Sequence, residues 1–352
     1  MPFEGVAFRT VASAGVGFGH LRRCLTLADE LARRGCQIQF WIEGDEAARG
    51  VASAAGFAVQ SVSGDEPAAT LRLAGAAAVP IAALVADSYA LDADYFRAVR
   101  PRVGCLLVID DLANRPLDAD VVSNGSANAA ALAYHTGADC TLLLGPRYAL
   151  LRSTFRGLPA RRQGEVRRVL VTLGGGDPQQ STATVVEQLL SSLPAVAFDV
   201  VVGPLFGADA VASLKRLAST TDRVALHHAP GELQGLMTTC DLAVSGGGQT
   251  LYELAACGLP TVALCLADNQ RGQLAALAGQ GALLLGGARD EGGLSSPFAD
   301  LGRAVTQLAG DLALRQRMSA TGQRLVDGEG TLRVADALLS KLKSGARKAP
   351  PP

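Results

Sequence analysis

The chain has 352 residues, 49% hydrophobic and 18% charged, with 32 Lys and Arg against 33 Asp and Glu and a formal net charge of −1. That length suits two domains of ordinary size, and the even charge argues against a general nucleic-acid binder, which carries a basic excess. No apolar run is long enough to span a bilayer: Val79 to Val85 and Ala282 to Leu285 are strand-sized.

Met1 to Glu4 lacks the basic start of a signal peptide. Seven scattered cysteines without a CxxC read as buried thiols rather than as a disulfide frame or zinc site. A cytoplasmic, monomeric protein without stable membrane insertion is expected. In chain order, strands are predicted at Val6–Val11, Gln37–Ile42, Ala58–Val62, Ala83–Asp87, Cys105–Ile109 and Thr141–Leu144. Between them lie helical patterns at Leu21–Ala32, Asp45–Ala55 and Asp92–Val99. The alternation predicts a doubly wound parallel sheet. Residues 155–164 are polar, basic and broken by Pro and Gly, as an interdomain linker would be. The alternation restarts with strands at Val169–Thr172, Phe198–Val202, Val224–Leu226, Leu242–Ser245 and Thr261–Leu264, and a helix from about Gln179. The expected division is 1–157, 158–343 and a disordered tail over 344–352.

Each half opens with a strand, a glycine-rich turn and a helix. In the first, Gly15-Val16-Gly17-Phe18-Gly19-His20 stands at the junction. Glycines there let a ligand approach the backbone, the helix N-terminus favours negative charge, and His20 can move a proton near neutral pH. A dinucleotide fingerprint would need glycine at position 20, although Glu43 could imitate its ribose acid. A bland alternative makes His20 a helix-end residue only. Asp87 and Tyr89 follow the fourth strand, at the sheet edge where α/β folds bind ligands. Asp110 and Asp111 follow the fifth, where a structural turn is favoured over a metal site. Asp118 and Asp120 do not have calcium-loop spacing.

In the second half, Gly174-Gly175-Gly176-Asp177-Pro178 follows the first strand. The richer motif is Ser245-Gly246-Gly247-Gly248-Gln249-Thr250-Leu251-Tyr252-Glu253, a strand end opening into a helix. Its backbone amides could hold a diphosphate. Glu253 could accept hydrogen bonds from ribose hydroxyls, or serve the helix dipole alone. Asn269 and Gln270 suit sugar hydroxyls, as they would suit a polar loop.

With these residues assembled, the chain resembles the nucleotide-sugar hydrolases that release 2,4-diacetamido-2,4,6-trideoxy-L-altrose from UDP in pseudaminic acid biosynthesis. The resemblance runs through Gly17-Phe18-Gly19-His20 with Arg22, Asp87-Ser88-Tyr89, Ile109-Asp110-Asp111-Leu112 and the stretch from Leu144 to Phe155. It continues through Leu173 to Asp177, Gly247 to Glu253 and Asn269-Gln270. The glycine loops and the Gly-to-Glu motif are shared with two-domain GT-B glycosyltransferases, and spore-coat and surface-polysaccharide proteins are similar. Two departures are an Ala- and Arg-rich stretch beyond the joint and Gly176 in place of a small polar residue.

The resemblance implies a GT-B-like fold of two Rossmann-like domains facing a cleft, UDP held mainly by the second, and neither metal nor cofactor. His20 would be the base, with Gly17, Gly19, Asp87 and Tyr89 toward sugar and water. Gly174, Gly175, Ser245, Gly247, Gly248, Gln249, Thr250 and Glu253 would hold the nucleotide, and Asn269 and Gln270 the sugar. The implied reaction is inverting hydrolysis of a UDP-sugar; the alternatives are an inverting glycosyltransferase and a non-catalytic nucleotide-sugar binder.

Overall fold

The computed structural model describes residues 4–13, 16–64, 66–177, 179–288 and 298–344. Gly15 of the first loop, Pro178 of the second and the tail residues 345–352 lie outside the described residues. The chain divides into two compact units, one of residues 1–152 with 329–352, the other of residues 153–328.

The first unit winds β1 (Gly5–Ala12), α1 (Gly19–Arg33), β2 (Gln37–Gly44), α2 (Glu46–Ala54), β3 (Ala58–Ser61), α3 (Pro67–Gly75), β4 (Ile81–Asp87) and α4 (Ala93–Val99). β5 (Cys105–Ile109), β6 (Val121–Asn124) and β7 (Thr141–Leu144) complete a seven-stranded sheet of order β3-β2-β1-β4-β5-β6-β7. Its strand pairings are parallel. β5 is buried along its whole length, as a strand covered on both faces must be. Asp45 and Asp92 cap α2 and α4 by accepting from the N–H groups of Ala48 and Tyr95.

The second unit carries β8 (Arg168–Thr172), α5 (Ser181–Ser192), β9 (Ala197–Val202), α6 (Ala208–Ser219), β10 (Val224–His228), α7 (Gln234–Thr239) and β11 (Leu242–Gly246). It continues with α8 (Thr250–Ala256), β12 (Thr261–Cys265), α9 (Arg271–Gly279), β13 (Leu284–Ala288), α10 (Leu301–Gly310) and α11 (Leu312–Leu325). Its six parallel strands run in the order β10-β9-β8-β11-β12-β13. In each sheet the strand order reverses beside the first strand, between β1 and β4 and between β8 and β11. In open α/β sheets the carboxyl ends of the strands at such a reversal are where ligands bind.

Three expectations need correction. The final helix, α12 (Gly330–Lys343), belongs to the first unit rather than to the 158–343 segment. Its Val334, Ala335 and Leu338 are buried in one cluster with Leu21, Cys24, Leu27 and Leu31 of α1. An amphipathic stripe in a sequence says that a helix covers something, without saying which sheet. Residues 155–164, expected as a linker, are strapped to the second unit. Arg161 donates to the carbonyls of Met237 and Cys240, while Gln323 donates to Pro159 O and Arg315 to Gly164 O. Finally, β6 and β13 are strands beyond the predicted eleven, and α3 is a helix between two predicted strands. β6 has only four residues, two of them polar, and α3 is rich in small residues with a weak apolar stripe. No helix among the described residues is long and apolar enough to cross a membrane.

Candidate functional site

In the first unit, the switch point between β1 and β4 gathers the chemistry. His20 is the second residue of α1, and Asp87 is the last residue of β4. The ring Nδ1 of His20 lies 2.6 Å from Asp87 Oδ1. Arg23, one turn further along α1, donates from Nε to Asp87 Oδ2 and from Nη2 to Oδ1, each at 2.6 Å. This is a bidentate, charge-assisted pair. Arg23 Nη1 reaches beyond it to Asp111 Oδ2 at 3.0 Å. Cys24 Sγ donates to Asp87 Oδ2 at 3.5 Å.

Asp87 is fully buried, and burial by itself would raise its carboxyl; the Arg23 guanidinium outweighs that and, with His20, holds it at about 2. An ionised Asp87 accepts, so Nδ1 of His20 carries the shared proton, and in the neutral ring the lone pair is then on Nε2. The 3.1 Å approach of Arg23 Nη2 to Nδ1 is then a charge contact rather than a hydrogen bond. Nε2 has no partner among the described residues. A base oriented by a buried carboxylate is the arrangement used to activate hydroxyl nucleophiles.

Tyr89 stands edge-on to His20, ring centroids 4.6 Å apart at 83°, and is 41% exposed. Desolvation and then Asp111 push its phenol well above the usual range, so it is neutral and able to donate. Gly17 has φ +86°, which favours glycine. Gly19 has no such φ, and beyond its chain neighbours and its own helix nothing described lies within 4 Å of where its Cβ would stand. Backbone geometry therefore does not demand glycine at position 19.

Asp87 differs from its expected role. It is fully buried, and both oxygens are engaged by His20, Arg23 and Cys24. Arg23 was not among the expected site residues, although its i+3 spacing from His20 puts the two on one helix face. Asp110 makes a turn: Oδ1 accepts from the N–H groups of Leu112 and Ala113 at 3.2 and 2.7 Å. Glu43, the imitation ribose acid, is paired to buried Arg9 at 2.7 Å. Asp118 and Asp120, with Asp139, surround the Arg100 guanidinium. Among the described residues no group of three or more His, Cys, Asp or Glu could hold a metal ion.

In the second unit, Gly174 and Gly175 follow β8. Gly174 has φ +135°, and a Cβ on Gly203 would stand 2.4 Å from Gly175 O. That loop lies tight against the start of the next connection. Asp177 caps α5, accepting from the N–H groups of Ser181 and Thr182, both at 2.8 Å. Ser245 is fully buried and its hydroxyl donates to Gly246 O, so only its backbone is left for the expected diphosphate role. Gly248 and Gln249 are exposed and Thr250 is half-buried. Gly248, like Gly19, has open space at its Cβ position and no positive φ. Glu253 is half-buried on α8.

The structure brings Gly247 against Gln270, whose Cβ and Oε1 would both stand 2.8 Å from a Cβ on Gly247. Gln270 Oε1 accepts from Leu266 N at 2.9 Å, so half of its amide is committed to the turn. Asn269 is exposed beside it. Gln273, which sequence reasoning passed over, donates to Gly247 O and accepts from Tyr252 Oη.

No protein-family model matches the chain. It is 26% identical over 277 residues to an uncharacterized protein of Methanocaldococcus jannaschii, covering 76% of this chain and 56% of that protein. It is 25% identical over 228 residues to the spore coat polysaccharide biosynthesis protein SpsG of Bacillus subtilis, covering 62% of this chain and 64% of that one. A third relative is the pseudaminic acid cytidylyltransferase and UDP-2,4-diacetamido-2,4,6-trideoxy-beta-L-altropyranose hydrolase of Helicobacter pylori. There the match is 27% over 192 residues, 53% of this chain and 34% of that protein. The chain thus spans between a third and two thirds of the length of these relatives.

Among solved structures, Acinetobacter baumannii MurG matches with a TM-score of 0.67 at 16% identity, over 96% of this chain and 99% of that one. The calicheamicin glycosyltransferase CalG4 gives 0.67 at 16%, over 99% and 100%. The glycotransferase of kitacinnamycin gives 0.69 at 18%, over 97% and 100%. The expected fold class is met: two parallel-sheet, Rossmann-like α/β domains of seven and six strands, of the GT-B kind.

Proposed function

We propose that this protein cleaves the anomeric C–O bond of a UDP-sugar by direct attack of water, with His20 as the general base. The observation that carries the reading is the Asp87–His20 pair, which leaves Nε2 as the basic nitrogen. Water adds to C1 as the bond from C1 to the β-phosphate oxygen breaks. The proton goes to Nε2, and the electron pair leaves on UDP. A diphosphate is a weak base, so no second carboxylic acid is needed, unlike in ordinary glycosidases. Attack opposite the leaving group inverts C1.

Open space at Gly19 and Gly248 supports close ligand approach to the backbone at both switch points. In this reading the exposed turn at Gly248–Thr250, with Gly174, Gly175 and Gly247, receives the diphosphate. Glu253 receives the ribose, and Asn269 and Gln270 the sugar; Tyr89 is the neighbour of His20. The Helicobacter pylori relative, whose name carries such a hydrolase activity, supports water as the acceptor and a 2,4-diacetamido sugar as the substrate. Polysaccharide biosynthesis in the name of SpsG supports the same area of chemistry.

The second reading is an inverting glycosyltransferase, favoured by the shared fold with MurG, CalG4 and the kitacinnamycin enzyme. There an acceptor hydroxyl gives its proton to the same His20.

Incubating the protein with UDP-2,4-diacetamido sugars, without acceptor, separates the two by NMR. Release of UDP and free sugar with inverted C1 is expected, unaffected by chelator. Turnover that appears only when an acceptor is added establishes the transferase; binding without turnover in either arrangement removes both. His20→Asn should lower turnover by about 10²-fold or more with UDP binding retained. A folded His20→Asn protein with full turnover would remove His20 as the base.

A further inference from the structure

We propose that Arg23 is a positioning residue that cancels the charge of Asp87 at His20, so that Asp87 orients the imidazole without making it hold a second proton. The proposal rests on His20 acting as a base, and goes beyond it in saying what keeps that base available.

Asp87 alone, buried and 2.6 Å from Nδ1, would favour imidazolium, which has no lone pair to accept a proton. Arg23 lies on the same carboxylate with two bonds and sets a cation 3.1 Å from the ring. The side chain of Arg23 is only 15% exposed, so water screens this contact weakly. Asp111 pulls the other way. It holds Arg23 Nη1 from just beyond the end of β5.

The other groups around the ring do not supply the balance. Tyr89 carries no charge. Burial and then Asp87 push the Cys24 thiol well up, so it too is neutral. On β1, Arg9 is turned to Glu43 and Gly64 O. On α12, Asp336 pairs with Arg34 at the far end of α1. Arg23 is the cation on the pair, and Asp111 its counterweight.

Opposite signs for the two substitutions distinguish this role from a structural one. Ring NMR of the full chain follows the pH at which the His20 signals change, with His20→Asn used to assign them among the four histidines. Arg23→Gln should move that pH up by about one unit or more, and the acid limb of the pH–rate profile with it. Arg23→Lys should restore most of the difference. Asp111→Asn should move it down, because Arg23 is then less compensated. An unchanged His20 transition in folded Arg23→Gln overturns the proposal. Should that variant fail to fold, an upward or absent shift in Asp111→Asn overturns it instead. The NMR readout needs no substrate, so it is independent of whether the UDP-sugar reading survives.

Discussion

The residue that changes its meaning most is Asp87. From sequence it is a polar group at a strand end, where ligands bind; in the fold it is sealed under His20 and Arg23. Sequence spacing could place His20 and Arg23 on one face of α1, but Asp87 is 67 residues from His20. Its arrival there depends on β4 pairing beside β1, with Thr10 opposite Asp87. The depressed carboxyl has a consequence for stability. A folded value of about 2 against an unfolded one of about 4 makes Asp87 stabilising above pH 4, with that contribution lost as pH falls toward 2. The loss is on the order of 2 kcal/mol. Urea unfolding at pH 5 and pH 2 should show it as a difference between the wild type and Asp87→Asn that shrinks in acid. A constant difference would count against the ionised, paired carboxylate.

At the scale of elements, the three strand–glycine–helix junctions were legible because each is a local pattern: an apolar run, a turn and a helical stripe. What those glycines do was not legible. Gly247 is held by contact with Gln270, which lies 23 positions on and shares no local pattern with it. Gly19 and Gly248 have no such contact, and only a structure distinguishes the two kinds. Adding a methyl at position 247 must displace Gln270 and its bond to Leu266 N. Gly247→Ala should therefore cost about 1–3 kcal/mol of stability, measured by urea unfolding. Gly248→Ala should leave stability within about 0.5 kcal/mol and weaken UDP binding instead. Equal stability losses in the two variants would remove the distinction.

At the scale of the whole molecule, the second unit is continuous in sequence, while the first needs a helix from the chain's far end. Residues 153–328, with their own core around Val171, Val200 and Val244, should fold as an isolated fragment and bind UDP by calorimetry. Glu253→Ala in that fragment should weaken the binding. Residues 1–152 alone leave the α1 surface under Val334, Ala335 and Leu338 open to water, and should fold only when residues 329–344 are restored. Cooperative folding of 1–152 without them, seen by circular dichroism and heat, would contradict the assigned core.

The alternation of strands and helices, the doubly wound class and the three glycine-rich junctions followed from sequence by itself, because apolar period and turn chemistry act over a few residues. The Asp87–His20–Arg23 assembly, the capture of residues 155–164 by the second unit and the return of α12 to the first were decided only by tertiary structure. Each joins groups distant in sequence, and each rests on burial: a carboxylate needing a counter-ion, carbonyls needing donors and an apolar stripe needing cover.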